Sequence, residues 1–317
     1  MSRNGKPGDA KDFSFGLMAL LLSLTASPAS TKAQTCGVQG VVLQVLGSGG
    51  PELQDKRASS SYLIWEDGKA RVLVDAGGGS ALRFGESGAR MSDLDAMFFS
   101  HFHVDHSGDF PALIKSSWFE DRSRALPVYG PEGTEIFPPA TEFVADFFDG
   151  KRGVYRYLSE LLDSDEGGSY RIIPHNVPPT ETPTIAFKGD DIAASSVHVI
   201  HGEVPALAWR IEARGKVIVF SGDTTGDGEG LVRVAKGADI FVAHNAVSEA
   251  ATGIERRLHM PPSVIGQIAA DAHVKRLVIS HRMLRTLGKE EQTKDEIRKR
   301  YSGPLDFAND LDCFALK

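Results

Sequence analysis

Cysteine is almost missing from the 317 residues. There are two, Cys36 and Cys313, one near each end, so the chain can close at most one disulfide of its own. Also missing is an apolar run long enough to cross a bilayer with comfort: the candidate, Phe13 to Ala26, falls short of the roughly 20 residues that a spanning helix needs. Basic charge is in deficit, with 35 Lys and Arg against 42 Asp and Glu and a formal charge of −7. That balance argues against a surface built to coat a polyanion. No internal repeat is visible. The glycine run Gly77-Gly78-Gly79 lacks both the nucleotide-binding spacing and a following Lys-Ser/Thr, which argues against a phosphate loop. With 41% hydrophobic and 24% charged residues, disorder is excluded and one large domain with a sizeable core is expected.

What is present begins with a leader pattern. Arg3, Lys6 and Lys11 precede the apolar run, and the small residues Ser27, Ala29 and Ala33 follow it. Residues 1–33 are therefore expected to be a signal peptide, with an uncleaved anchor or a cytosolic chain as alternatives because Asp9 and Asp12 dilute the basic start. Cleavage after Ala33 would remove four basic and two acidic residues and move the charge from −7 to −9. The mature protein is then expected in the periplasm or outside the cell, where Cys36 and Cys313 can pair. Its expected partner is a small-molecule substrate, with no membrane attachment after cleavage and nucleic acid not expected.

Apolar runs mark out the strands. Val41 to Leu46, Ser60 to Trp65 and Ala70 to Asp75 come first, the last two flanking the hairpin signal Glu66-Asp67-Gly68-Lys69. Asp75-Ala76-Gly77-Gly78-Gly79 reads as a close-packed turn. Ala96 to Ser100 is a short strand, and a helix is expected over Gly108 to Trp118. Glu132 to Pro179 reads as helical and irregular, with a helix near Thr141 to Phe148 and a polar insert at Asp163 to Ser169. Strands return at Thr184 to Phe187, Ser195 to Ile200, Ala206 to Glu212 and Lys216 to Ser221. Two β/α units close the chain: helix Gly230 to Lys236 with strand Asp239 to Ala243, and helix Pro262 to His273 with strand Arg276 to Ser280. This order suits two stacked sheets with helices outside.

The densest chemistry is Ser100-His101-Phe102-His103-Val104-Asp105-His106, where a strand ends. Imidazole nitrogens and carboxylate oxygens are ligands that zinc accepts, and a loop so rich in them reads as a metal site. Further candidates also follow apolar strands: His201, Asp223 in "SGDT" and His281 in "SHR". In order and spacing these residues resemble the metallo-β-lactamase superfamily of binuclear metal hydrolases, over essentially residues 38–317. Within it, "VDAGGG" and the run from His201 to Thr224 look most like the branch of ribonuclease Z and exported arylsulfatase-like enzymes.

The resemblance implies an α+β fold, a four-layer αββα sandwich, as a single hydrolase domain over 34–317. It implies a first metal held by His101, His103 and His201, a second by Asp105, His106 and His281, and Asp223 bridging them. Two divalent cations are expected, zinc ahead of manganese or iron, sharing a water acid enough to yield hydroxide at neutral pH. Asp105 and His244 are the candidate catalytic side chains. His244 matches a histidine that assists the leaving group in ribonuclease Z-like enzymes, although Asn245 stands where those carry glutamate. His259, before a helix start that favours an anion, is a candidate substrate contact. His175, His198 and His273 are expected to be structural.

The expected activity is hydrolysis of a small phosphoric or sulfuric ester, arylsulfatase-like or phosphodiesterase-like. The alternatives are β-lactam hydrolysis, ribonuclease Z-like endonuclease action, glyoxalase II-like thioester hydrolysis and a non-catalytic metal-binding protein. A homodimer is an expectation from resemblance alone.

Overall fold

The computed structural model describes residue 36 and residues 39–162 and 170–316. The expected signal peptide, its cleavage site and the insert Asp163 to Ser169 lie outside the described residues.

The first half supplies β1 (Val41–Gly47), β2 (Ser61–Glu66), β3 (Lys69–Val74), α1 (Ser80–Ser87), β4 (Ala96–Phe98), α2 (Val104–Ser107), α3 (Phe110–Ser117), β5 (Leu126–Pro131), α4 (Ala140–Phe148) and β6 (Ile172–Val177). The second supplies β7 (Thr184–Lys188), β8 (Ile192–His201), β9 (Val204–Ala213), β10 (Lys216–Phe220), α5 (Gly230–Ala235), β11 (Ile240–His244), α6 (Pro262–Asp271), β12 (Leu277–Ser280), α7 (Glu290–Arg298), β13 (Leu305–Phe307) and β14 (Cys313–Leu316). Two mixed seven-stranded sheets result, in the orders β14-β1-β2-β3-β4-β5-β6 and β13-β12-β11-β10-β9-β8-β7.

Side chains alternate across each strand, so a strand buried on both faces feeds two cores. In β11, Ile240 and Val242 point into the apolar layer between the sheets, while Phe241 and Ala243 join a second layer beneath α5 and α6. In β1, Leu43 and Val45 enter the inter-sheet layer, and Val42 and Leu46 enter a third with Phe110, Leu113 and Phe148 of the outer helices. Three apolar layers separate four structural ones, which is the αββα sandwich. These continuous apolar runs are why the strands were readable from sequence.

Three features differ from the sequence reading. Strands β5 and β6 extend the first sheet, pairing in parallel through Tyr129 and His175, although Pro127, Gly130, Pro131 and the polar pair His175-Asn176 give neither an apolar run nor clean alternation. The helix expected over Gly108 to Trp118 is α3, which starts after Asp109 with Pro111 in its first turn, but a separate short helix that was not expected, α2, precedes it and ends before Gly108. Helix α7 buries only Thr293 and Ile297, so its apolar stripe is too thin to stand out among charged residues.

Cys36 and Cys313 are bonded, with Cα atoms 5.8 Å apart, tying residue 36 to β14. Among the described residues, no helix is long and apolar enough to cross a membrane.

Strand direction decides where the site can be. β3 and β4 run parallel, as do β10, β11 and β12. β8 is antiparallel to β9, which is antiparallel to β10, so β8 runs with β10. The carboxyl ends of these strands deliver Asp75, His101, His201, Asp223, His244 and His281 to one place.

Candidate metal centre

Part of the lining is built by fixing the outer nitrogen of His106, His101 and His201 so that the other faces inward. The Asp75 carboxylate accepts from the Ser100 backbone N–H at 2.7 Å and from its hydroxyl at 2.8 Å, and lies 2.8 Å from His106 Nδ1. That leaves His106 Nε2 inward, buried and without a hydrogen-bond partner. His101 Nδ1 is 3.1 Å from the same Ser100 hydroxyl, and its Nε2 is likewise unpartnered. His201 Nδ1 donates to the Leu258 carbonyl at 2.8 Å, turning Nε2 toward His103 Nδ1 at 3.3 Å. Fixing a ligand's far nitrogen in this way sets both its tautomer and its orientation.

Two groups of inward atoms follow. His101, His103 and His201 form one. In the other, His281 Nε2 is 3.2 Å from Asp105 Oδ2 and 3.5 Å from Asp223 Oδ2, while His106 Nε2 is 3.6 and 3.5 Å from those same oxygens. Asp223 Oδ2 is also 3.9 Å from His201 Nε2, so it faces both groups. Ligands about 2.0–2.1 Å from a tetrahedral zinc stand about 3.3 Å apart, close to these separations. Unpartnered buried nitrogens are costly unless something binds them, so the residues fit a metal pair.

The charges of the cluster are interdependent: against burial, the Asp223 and Asp105 carboxylates raise His106 and His281 above the ordinary imidazole value. Burial would raise the Asp223 carboxyl, but the imidazoles of His281, His106 and His259 hold it well below the usual carboxylate range. Burial together with neighbouring His106 pushes His101 well below its ordinary value, keeping it neutral and able to ligate.

The turn beneath the motif is closely packed. A Cβ on Gly77 would lie 2.1 Å from the Asp105 carbonyl oxygen, and Ala76 N–H donates to the His106 carbonyl at 2.7 Å. Asp75 and His281 both hold left-handed backbone, φ 56° and 50°, a strained conformation that concentrates at functional sites.

His244 lies beside the cluster, with its ligand atom within 4.8 Å of those of His106, Asp223 and His281. Both of its ring nitrogens are occupied: Nδ1 bonds Asp223 Oδ1 at 2.8 Å, and Nε2 lies 2.9 Å from the Tyr62 hydroxyl, itself 2.9 Å from Ser280 Oγ. Burial lowers its pKa to about 4. The ring is placed to orient the Asp223 carboxylate, and both nitrogens on which a leaving-group role would depend are engaged by protein groups. His259 reaches the site instead, its Nδ1 buried, unpartnered and 3.8 Å from Asp223 Oδ2. His175 stacks on Tyr129, and neither it, His198 nor His273 belongs to the cluster.

Tyr62, Asp75, Ser100 and the Leu258 carbonyl were not singled out from sequence as functional. Only Asp75 left a signal, at a strand end before three glycines. Tyr62→Phe is expected to retain metal but slow turnover about 10-fold, the lower end of the range for groups behind a ligand, and to cost about 1–2 kcal/mol of stability by orphaning His244 Nε2. Metal content, turnover and a melt check it; a rate within twofold of the parent would mean that Asp223 alone holds the ring.

An αββα sandwich with a buried His/Asp cluster at its strand ends defines a metallo-hydrolase architecture. The family model for the Metallo-beta-lactamase superfamily matches residues 55–262, and the chain belongs to that superfamily. Ribonuclease Z of Methanosarcina acetivorans is 27% identical over 266 residues, covering 74% of this chain and 85% of the relative. Ribonuclease Z of Mycolicibacterium paratuberculosis is 28% identical over 292 residues, covering 86% and 96%. The crystal structure of the short form of human tRNase Z superposes with a TM-score of 0.67 at 18% identity, covering 87% of this chain and 99% of that one.

These relatives overturn the expectation that nucleic acid is not a partner. The inference from net charge fails physically, because −7 sums the whole surface whereas a bound strand meets one face. Local chemistry departs from the average: Lys115 Nζ lies 4.1 Å above the Trp118 ring and 5.2 Å from that of Phe119, joining a cation to exposed rings on which bases can stack.

Proposed function

We propose that this chain is a two-metal phosphodiesterase that accepts RNA. The observation that carries the reading is the gathering of inward-facing imidazole nitrogens, those of His101 and His106 without a hydrogen-bond partner, into two groups that Asp223 Oδ2 faces. The ribonuclease Z relatives favour a phosphodiester, RNA included, over a sulfate ester or a lactam.

His101 Nε2, His103 Nδ1 and His201 Nε2 would hold one cation, and Asp105, His106 Nε2 and His281 Nε2 the other, with Asp223 shared; zinc suits this donor set. Bound there, the pair would acidify a water and polarise a phosphoryl oxygen. His244 holds Asp223 in place through Nδ1. His259 Nδ1, spent on no protein atom, is left to contact a substrate oxygen. Export is part of the reading, supported by the leader pattern and by a disulfide that persists in oxidising compartments. Such an enzyme would meet RNA outside the cytosol.

The test is a metal assay and a substrate panel on the purified protein: bis(p-nitrophenyl) phosphate, a short 3′-extended RNA, p-nitrophenyl sulfate and nitrocefin. About two metals per chain and chelator-sensitive cleavage of the first two are expected. Turnover of only the sulfate or only nitrocefin would sink the proposal. Amino-terminal sequencing of fractionated cells should find a chain starting after Ala33 in the exported fraction; a start at Met1 in the cytosol would refute export.

A further inference from the structure

Beside the metal-centre residues lies a cavity of a different character, ≈ 120 Å³ in volume, with His103 in its wall. Phe102, Phe137 and Phe143 form its aromatic sides, and Pro131, Pro138, Val204 and Pro205 complete it. No charged side chain lines it, although the neighbouring site is made of charged and polar groups. From these observations, and resting on the phosphodiesterase reading above, we infer that this cavity is the subsite for a single planar aromatic ring carried on the scissile ester.

The size fits one ring. A cavity of ~150 Å³ walled by apolar side chains takes up benzene, so this one, open at its mouth, takes a phenyl or pyrimidine ring and leaves a purine partly outside. The walls are also set before anything binds. Phe102 and Phe143 stack on each other with centroids 4.1 Å apart and planes within 12°, and Phe102 leans on Phe99 behind it. Gly130 makes room for Phe102, since a Cβ there would lie 2.5 Å from its ring. Phe137 rides a loop closed by Thr134, whose backbone N–H donates to the Phe137 carbonyl at 2.9 Å and whose hydroxyl accepts from Phe137 N–H at 3.2 Å. A Cβ on Gly133 would lie 2.3 Å from that same carbonyl, so the loop can fold this tightly only with glycine. Rigid walls lower the cost of ordering them around a ligand.

Position selects the occupant. His101 and His103 both belong to the candidate ligand set, and the residue between them, Phe102, lines the cavity, so an ester held at the centre has this apolar wall as its immediate neighbour. A charged or purely aliphatic polyol substituent would find only His103, itself a candidate ligand, to hydrogen-bond on these walls, whereas a ring gains contact with three others.

Two phosphonates that cannot be cleaved at an ester bond test this on the metal-loaded protein by calorimetry. Phenylphosphonate is expected to bind roughly tenfold more tightly than methylphosphonate. Phe137→Ala, on a surface loop, and Val204→Phe, which fills the space, should each remove that preference while leaving methylphosphonate affinity unchanged. Uridine 3′-phosphate against ribose 3-phosphate separates the sources: a preference there assigns the ring to a nucleobase, and a preference confined to the phenyl pair assigns it to an aryl ester. Equal binding of phenyl and methyl forms, binding of neither, or equal loss of both in the variants overturns the subsite. A retained phenyl preference in a protein that cleaves no phosphodiester would instead overturn the activity and leave the subsite standing.

Discussion

Asp223→Ala is expected to cut kcat/KM on any hydrolysed phosphodiester by at least ~10³-fold, about 4 kcal/mol of transition-state stabilisation, and to lower bound metal from two per chain to one or none. The carboxylate is almost fully buried and meets several imidazoles at once. Its Oδ2 stands 3.5 Å from Nε2 of both His106 and His281 and 3.9 Å from that of His201, while Oδ1 accepts from His244 at 2.8 Å. Removing it leaves the imidazoles of both groups facing one another without the anion between them, so neither cation keeps its shared ligand. Asp223→Asn preserves shape but removes charge, and should lose less metal than the alanine variant while still losing most activity. Metal analysis, a circular dichroism spectrum and steady-state kinetics on the three proteins are sufficient. Two bound metals and undiminished turnover in a folded Asp223→Ala protein would eliminate the bridging assignment.

The reach of sequence reasoning follows from where each partner sits along the chain. His101 to His106 is a local cluster, and His201, Asp223 and His281 each follow a run of apolar strand residues; parallel strands explain why those ends converge, whereas the division of the ligands between two metals came from the family resemblance. The setting of His244 is not local. Its Nε2 contact is Tyr62, 182 residues away on the facing sheet, and nothing in the Val42 to Trp65 region marks that hydroxyl as different from any other core tyrosine. The aromatic subsite is hidden for a related reason. It joins Phe102 from the metal motif, a loop after β5 and the start of β9, and β5 itself was invisible because its prolines and glycine imitate a loop. The charge argument failed at a third level: composition reports a sum, and recognition reads a local potential.

The Cys36–Cys313 bond gives the largest expected effect on stability. It encloses a sequence separation of 277 residues, and the chain-entropy account of such a loop gives ~5.6 kcal/mol, at or above the upper end of what natural disulfides contribute. In the folded state the link adds little new geometry, because β14 already pairs with β1, Gln44 opposite Cys313. Its action therefore falls on the unfolded chain, whose ends it keeps together. For a domain of this size, 1 kcal/mol moves the midpoint by about 2–4 °C, so Cys36→Ser is expected to lower Tm by roughly 10 °C or more. Activity at 25 °C should be unchanged, since neither cysteine lines the metal centre or the aromatic cavity. The variant is the better probe than a dithiol reductant, which would also compete for a thiophilic metal. The phosphine TCEP on the parent protein should reproduce its melting curve. A Tm within 2 °C of the parent would show that residue 36 lies outside the cooperative unit, and would remove the disulfide as a support for the proposed export.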